Sequence, residues 1–394
     1  MVRSIIDQPA TTDLDQAFRS LRGAEFPWTG ETTYLNNAGS GPIPERARRV
    51  IDEITAKRTA PHLLPDRDMQ QALADCRNLL ARIINAGVEE IGLATSTSFG
   101  LSLAARGLPL KAGDTVLVSE REFPAVVYPW LMLKERGVAV ELVPTTPEGW
   151  PDEDRLVERL SDPSVRALSV SWVQFSTGYR VDLGRLSAAC RANGTFLVVD
   201  AIQGVGQIPL DVRRTPVDVL ACGGQKWLLS PWGSAFIYVR RELLTVLEPV
   251  LVGWTAFEGT EDYSRLTEYN PTLKRDARRY EVGTLPFQGF IGMRESLRML
   301  LELGVERVAA RNRTLREPVL QAAARGEITV TSPTDPAHDS SIVCVAPEHV
   351  AETFHALKKC SVICALREGR IRLSPHCYNT VEEVEKVVAI LTGR

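Results

Sequence analysis

Short uncharged runs rich in Val, Leu, Ile and Ala recur between residues 90 and 239, separated by longer stretches whose apolar positions return every three to four residues. A short apolar run suits a strand buried on both faces, whereas the wider spacing suits a helix with one apolar face. The runs predict strands over 90–94, 115–119, 138–143, 166–171, 195–199, 217–222 and 234–239. The spaced stretches predict helices from 97 through 105 and over 124–136, 152–160 and 182–193. Such alternation implies an α/β fold built on a mostly parallel sheet, with helices on both faces and ligands at the strand carboxyl ends.

Upstream, Pro42 and Pro44 precede a helix over 45–60, and a second helix follows over 66–84; residues 1–33 carry little periodicity and are expected to wrap the outside. After 250 the pattern weakens into a loop rich in Gly, Thr and Glu over 253–278. Two helices, 288–303 and 305–325, then lead to a second alternation over 341–345, 350–359, 362–366, 370–373 and 381–391. A chain of 394 residues exceeds one ordinary core. The expected division is an N-terminal segment, 1–35, packing with the small lobe, a large domain over 36–287 and a smaller α/β domain over 288–394.

Composition narrows the function. With 44% hydrophobic and 24% charged residues the chain reads as globular and water-soluble. A net charge of −3 and the lack of a basic stripe argue against nucleic acid as a partner. The first 16 residues are polar, and no run approaches membrane-spanning length, so a cytoplasmic protein without a membrane partner is expected. Seven cysteines are scattered through apolar runs without zinc-site spacing, which predicts free buried thiols and no metal.

The chemistry concentrates at two strand ends. The run over 195–199 delivers one acid, Asp200, and the run over 217–222 stops at Gly223 and Gly224 before presenting Lys226, flanked by Trp227 and Leu228. A lysine boxed in by apolar neighbours loses hydration and favours the free amine that forms a Schiff base. A carboxylate beside a pyridine nitrogen would keep it protonated and make the ring an electron sink. Together the two residues describe pyridoxal phosphate chemistry. Ser96 and Thr97 open a helix directly after a strand, where unpaired N–H groups and hydroxyls suit a phosphate.

These motifs, with Tyr34-Leu35-Asn36-Asn37-Ala38, Arg279-Tyr280-Glu281-Val282-Gly283-Thr284 and Arg370-Ile371-Arg372-Leu373, make the chain resemble the class V aminotransferases. These are fold type I pyridoxal phosphate enzymes whose relatives include cysteine desulfurases, kynureninase and isopenicillin N epimerase-like proteins. The resemblance implies a fold type I transferase with a seven-stranded type of sheet and assigns further roles. Phe123 stands where desulfurases carry a histidine over the cofactor ring and would stack on it. Phe175 occupies the position of an asparagine that bonds the cofactor's phenolic oxygen, leaving Gln174 beside it and Gln203 as the safer donor. Gln225 stands where desulfurases place a phosphate-binding histidine. Thr284 would reach the phosphate of a partner subunit's cofactor, implying a homodimer with sites at the interface. Asn37 and Arg372 would face the substrate, Arg372 gripping its α-carboxylate, with Arg370 the rival.

The expected activity is of aminotransferase type on an α-amino acid, a small-molecule substrate, through Lys226 as Schiff-base residue and Cα base. A carbon–sulfur or other β-lyase, or an epimerase, is the alternative. A desulfurase is a lesser reading, because Cys364 lies in an apolar strand-like run rather than a mobile loop. Outside enzymes, a non-catalytic fold relative is the competing class.

Overall fold

The computed structural model describes residues 11–393. A helix occupies Thr11–Glu25 (α1) within the segment read as lacking periodicity, and the first ten residues of the expected outer wrap lie outside the described residues. Long-range polar contacts hold α1 in place: Arg22 donates to the Tyr378 carbonyl and to Glu383, and Asp15 pairs with Arg311. The next elements are a two-residue strand, β1 (Thr33–Tyr34), and two helices, α2 (Glu45–Arg58) and α3 (Asp66–Ile84).

The large sheet has seven strands: β2 (Ile91–Ala94), β3 (Thr115–Ser119), β4 (Ala139–Val143), β5 (Val165–Ser171), β6 (Phe196–Asp200), β7 (Val219–Gly223) and β8 (Ala235–Val239). Their order is β2-β8-β7-β6-β5-β3-β4, and β8 alone runs against its neighbours. Strands β2, β7 and β8 are buried at every position, as continuous apolar runs require. Helices α4 (Thr97–Gly107), α5 (Pro124–Leu131), α6 (Glu153–Arg159) and α7 (Leu183–Asn193) supply the crossovers. Helix α5 stops short of the predicted 136: with Pro129 inside it, the chain tightens into a 3₁₀ turn over Met132–Arg136.

Helix α8 (Phe287–Leu303) carries Phe290, Met293, Leu297 and Leu300 into the core beneath the sheet. Helix α9 (Val305–Ala324) begins in that core at Val305 and Val308 and ends in another, where Leu315 and Val319 meet Leu35, Val343 and Ile371. We propose that the domain division falls within α9 and that residue 35 belongs with the small lobe. There β9 (Val343–Val345), β11 (Ala365–Arg367) and β12 (Arg370–Leu373) form an antiparallel sheet with helices α10 (Val350–Lys359) and α11 (Val381–Leu391). The run read as one strand over 362–366 is divided: β10 (Val362–Ile363) pairs in parallel with β1, and β11 turns to β12. No described helix is long and apolar enough to cross a membrane.

Candidate active site

The carboxyl ends of β2, β3, β5, β6 and β7 converge on a cavity of about 170 Å³ lined by Ser96, Thr97, Phe123, Asp200, Gln203, Gln225 and Lys226. Seven predicted residues therefore meet in one place. Ser96 caps α4, its Oγ accepting from the Phe99 N–H at 3.1 Å. Thr97 Oγ1 accepts from the Gly223 N–H at 2.9 Å, which ties the helix start to β7 and leaves the hydroxyl hydrogen for a ligand. A helix N-terminus with two hydroxyls fits a phosphate.

Lys226 follows β7 in a turn closed by the Leu229 N–H onto the Lys226 carbonyl at 3.1 Å. Leu229 sits at φ 51°, a strained left-handed conformation for a leucine, and is held by full burial and by Ser296 Oγ on its carbonyl. The loop bearing Asn37 presses on the same turn: Gly41 donates to the Gln225 carbonyl at 2.7 Å, and a Cβ at Gly41 would lie 2.2 Å from the Lys226 carbonyl oxygen. Only glycine fits there. Burial lowers the Lys226 pKa to about 8, against the opposing charge of Asp200 and with the aid of Arg372. Its Nζ lies 5.9 Å from the centroid of the Phe123 ring, whose edge meets Phe175 with centroids 5.3 Å apart.

Asp200 ends β6 almost fully buried, its Oδ1 accepting from the Ile202 N–H at 2.9 Å. Burial raises its pKa to about 6, and the Ile202 bond and Lys226 restrain the rise. The Trp227 indole donates to Gln203 Oε1 at 2.8 Å, which fixes the amide so that Nε2 is the donor end; Nε2 meets the Ala38 carbonyl at 3.0 Å and keeps a second hydrogen.

Four assigned residues lie outside the cavity lining. Gln174 is fully buried behind it, with Oε1 accepting from Thr177 Oγ1 and Nε2 without a partner; the tight turn in which the Gln174 N–H meets the Tyr179 carbonyl turns it inward. Asn37 is buried, its Oδ1 accepting from the Tyr378 hydroxyl at 3.1 Å and its Nδ2 unpartnered. Arg372 is 2% exposed and donates to the Phe175 carbonyl at 2.7 Å, with Nε unpartnered; desolvation lowers its pKa to about 10. Arg370 is half-buried. Thr284 is exposed in a separate cleft of about 910 Å³ with Trp254, Lys274 and Arg278.

Sequence reasoning missed Ser171 and Ile202, which line the cavity, and Glu122, buried behind Ser171. The His376 ring lies tilted beside Trp227, centroids 5.4 Å apart, and its Nε2 faces the Trp227 carbonyl at 3.3 Å. Burial lowers its pKa to about 4, and it does not line the cavity. The seven cysteines are free; six are buried and Cys360 is exposed.

An amine whose proton is easily lost, an acid at hand for a pyridine nitrogen and a helix start for a phosphate fit pyridoxal phosphate residue by residue. The chain is 31% identical over 312 residues to an uncharacterized aminotransferase, YcbU, of Bacillus subtilis, covering 79% of this chain and 81% of that one. It is 27% identical over 389 residues to a probable cysteine desulfurase of Pyrococcus abyssi, covering 93% and 95%. Among solved structures, an apo cysteine desulfurase from Thermococcus onnurineus superposes with a TM-score of 0.84 at 22% identity, covering 95% of this chain and 97% of that one. The family model for class-V aminotransferases matches residues 33–387, and the chain belongs to that family of pyridoxal phosphate-dependent enzymes, whose members are transferases or lyases.

Proposed function

We propose that the protein is an aminotransferase-type enzyme acting on an α-amino acid, with Lys226 as its catalytic base. Pyridoxal phosphate, when bound, supplies an aldehyde that captures the amino group and a pyridine ring that accepts electron density from Cα. Ser96, Thr97 and Gln225 bind the phosphate. Asp200 holds a proton on the ring nitrogen from its buried position. Arg372, steadied by the Phe175 carbonyl, binds the substrate carboxylate through its remaining donors. Lys226 takes the proton from Cα, and its lowered pKa keeps a share of the amine neutral near physiological pH.

The observation that carries this reading is the absence of a thiol or imidazole from the described cavity lining. Sulfur transfer of the desulfurase kind needs a thiolate nucleophile. Cys364 packs in the small-lobe core, where burial pushes its thiol up to about 12. Cys364→Ala is therefore expected to retain most activity, with no persulfide on Cys364 in the wild type. Loss of turnover in that variant together with a persulfide on the native residue would make the enzyme a desulfurase. A homodimer belongs to the same proposal, because Thr284 is exposed in a cleft separate from its own Lys226 cavity, where it can serve a second copy.

A further inference from the structure

Behind the cavity wall sits a second carboxyl. Glu122, at the end of the turn after β3, is 7% exposed and forms no ion pair among the described residues. One oxygen accepts from the Ser171 N–H at 2.7 Å, and the other lies within hydrogen-bond reach of the Ser171 hydroxyl. The Phe123 N–H also donates to the carboxyl. Ser171 is register-paired with Asp200 across β5 and β6, and both line the cavity. The charge of Asp200 repels that of Glu122; Asp200 is in turn favoured in its charged form by Lys226, whose own charge is disfavoured by Arg372 and Arg367.

Two neighbouring buried carboxyls do not readily ionise together. Ser171 has one hydroxyl hydrogen, so the state of Glu122 sets where it points. An ionised Glu122 takes that hydrogen, and Ser171 shows the cavity a lone pair. A protonated Glu122 donates its own hydrogen to Ser171 Oγ, and the serine hydrogen turns into the cavity.

We propose that Glu122 is a positioning residue acting through Ser171: in the window where Asp200 has ionised and Glu122 has not, Glu122 donates its proton to Ser171 Oγ and turns the Ser171 hydroxyl hydrogen into the cavity beside Asp200. This deepens the proposed function, because it rests on the cavity being the cofactor site. Burial raises Glu122 to about 7 and Asp200 to about 6, so Asp200 ionises first as the pH rises.

The test is a pH titration of purified, cofactor-loaded wild type, Glu122→Gln and Ser171→Ala, read by the infrared carbonyl band of protonated carboxylic acids and by the absorbance of the bound cofactor. The wild type is expected to show an acid band that fades through about pH 7 and is missing from Glu122→Gln. The absorbance inflection at the same pH is expected to vanish in both variants. An acid band that still fades through about pH 7 in Glu122→Gln overturns the proposal, as does an inflection that persists in Ser171→Ala. If Glu122→Gln does not load cofactor, Ser171→Ala decides alone, since it leaves Glu122 in place. The infrared measurement needs no turnover, so its failure is separate from a failure to find amino-group transfer.

Discussion

At Lys226 burial and Arg372 favour loss of the ammonium proton while Asp200 favours keeping it, and burial prevails, moving the pKa from 10.5 to about 8. Only the neutral amine attacks an aldehyde, so the rate of cofactor capture by apoprotein should rise with pH and level off above about 8. A midpoint near 10.5 would show that the lysine is not desolvated. Lys226→Ala should abolish capture and turnover, and borohydride reduction of the loaded wild type should label the Lys226 peptide alone. In the proposed mechanism Asp200 would tune the ring and leave the phosphate to Ser96, Thr97 and Gln225. Asp200→Ala is accordingly expected to keep bound cofactor yet lose turnover by at least about tenfold, about 1.4 kcal/mol in the barrier. Near-normal turnover in that variant would remove Asp200 from the mechanism.

Among the elements, α4 carries the proposed phosphate site, and its geometry makes a specific demand on Thr97. The hydroxyl accepts from Gly223 and has one hydrogen left to give. Thr97→Val should weaken cofactor binding by about tenfold, the value of one lost hydrogen bond to a charged group, as read by equilibrium dialysis. An unchanged affinity would place the phosphate elsewhere. Elements like α4 and the central strands were legible because their signals are local: a buried strand is an apolar run, and a helix after it opens on capping hydroxyls. What escaped the sequence depends on distant partners. The run at 362–366 divides because Val362 and Ile363 pair with Thr33 and Tyr34, more than 300 residues earlier, while Ala365 pairs with Arg372. Glu122 reads as one more charge in a polar turn, and only Ser171, 49 residues on, makes it a buried acid. Gln174 shares the right loop with Phe175 but is turned inward by the closure of that loop, which no spacing reveals.

For the whole molecule, buried acids and assembly set the expected behaviour. Glu122 has a folded pKa near 7 against 4.5 for the free side chain. Between those values the folded protein binds more protons than the unfolded chain, so stability falls as the pH rises through that window. Glu122→Gln should make the decline in apoprotein stability between pH 4.5 and 7 shallower in denaturant titrations, and an identical slope would contradict the burial of this acid. If Thr284 completes a neighbour's phosphate site, the holoenzyme sediments as a dimer and loses cofactor on dilution to monomer; a monomeric holoenzyme would refute the shared site. The central claim is amino-group transfer from an α-amino acid at Lys226. Its most direct test is to incubate the loaded enzyme with a panel of α-amino acids, with and without a keto-acid acceptor, and to assay keto acid, ammonia and sulfide together. Sustained formation of the donor's keto acid that requires the acceptor, without sulfide or ammonia, is the predicted result; sulfide or ammonia released without an acceptor would contradict it.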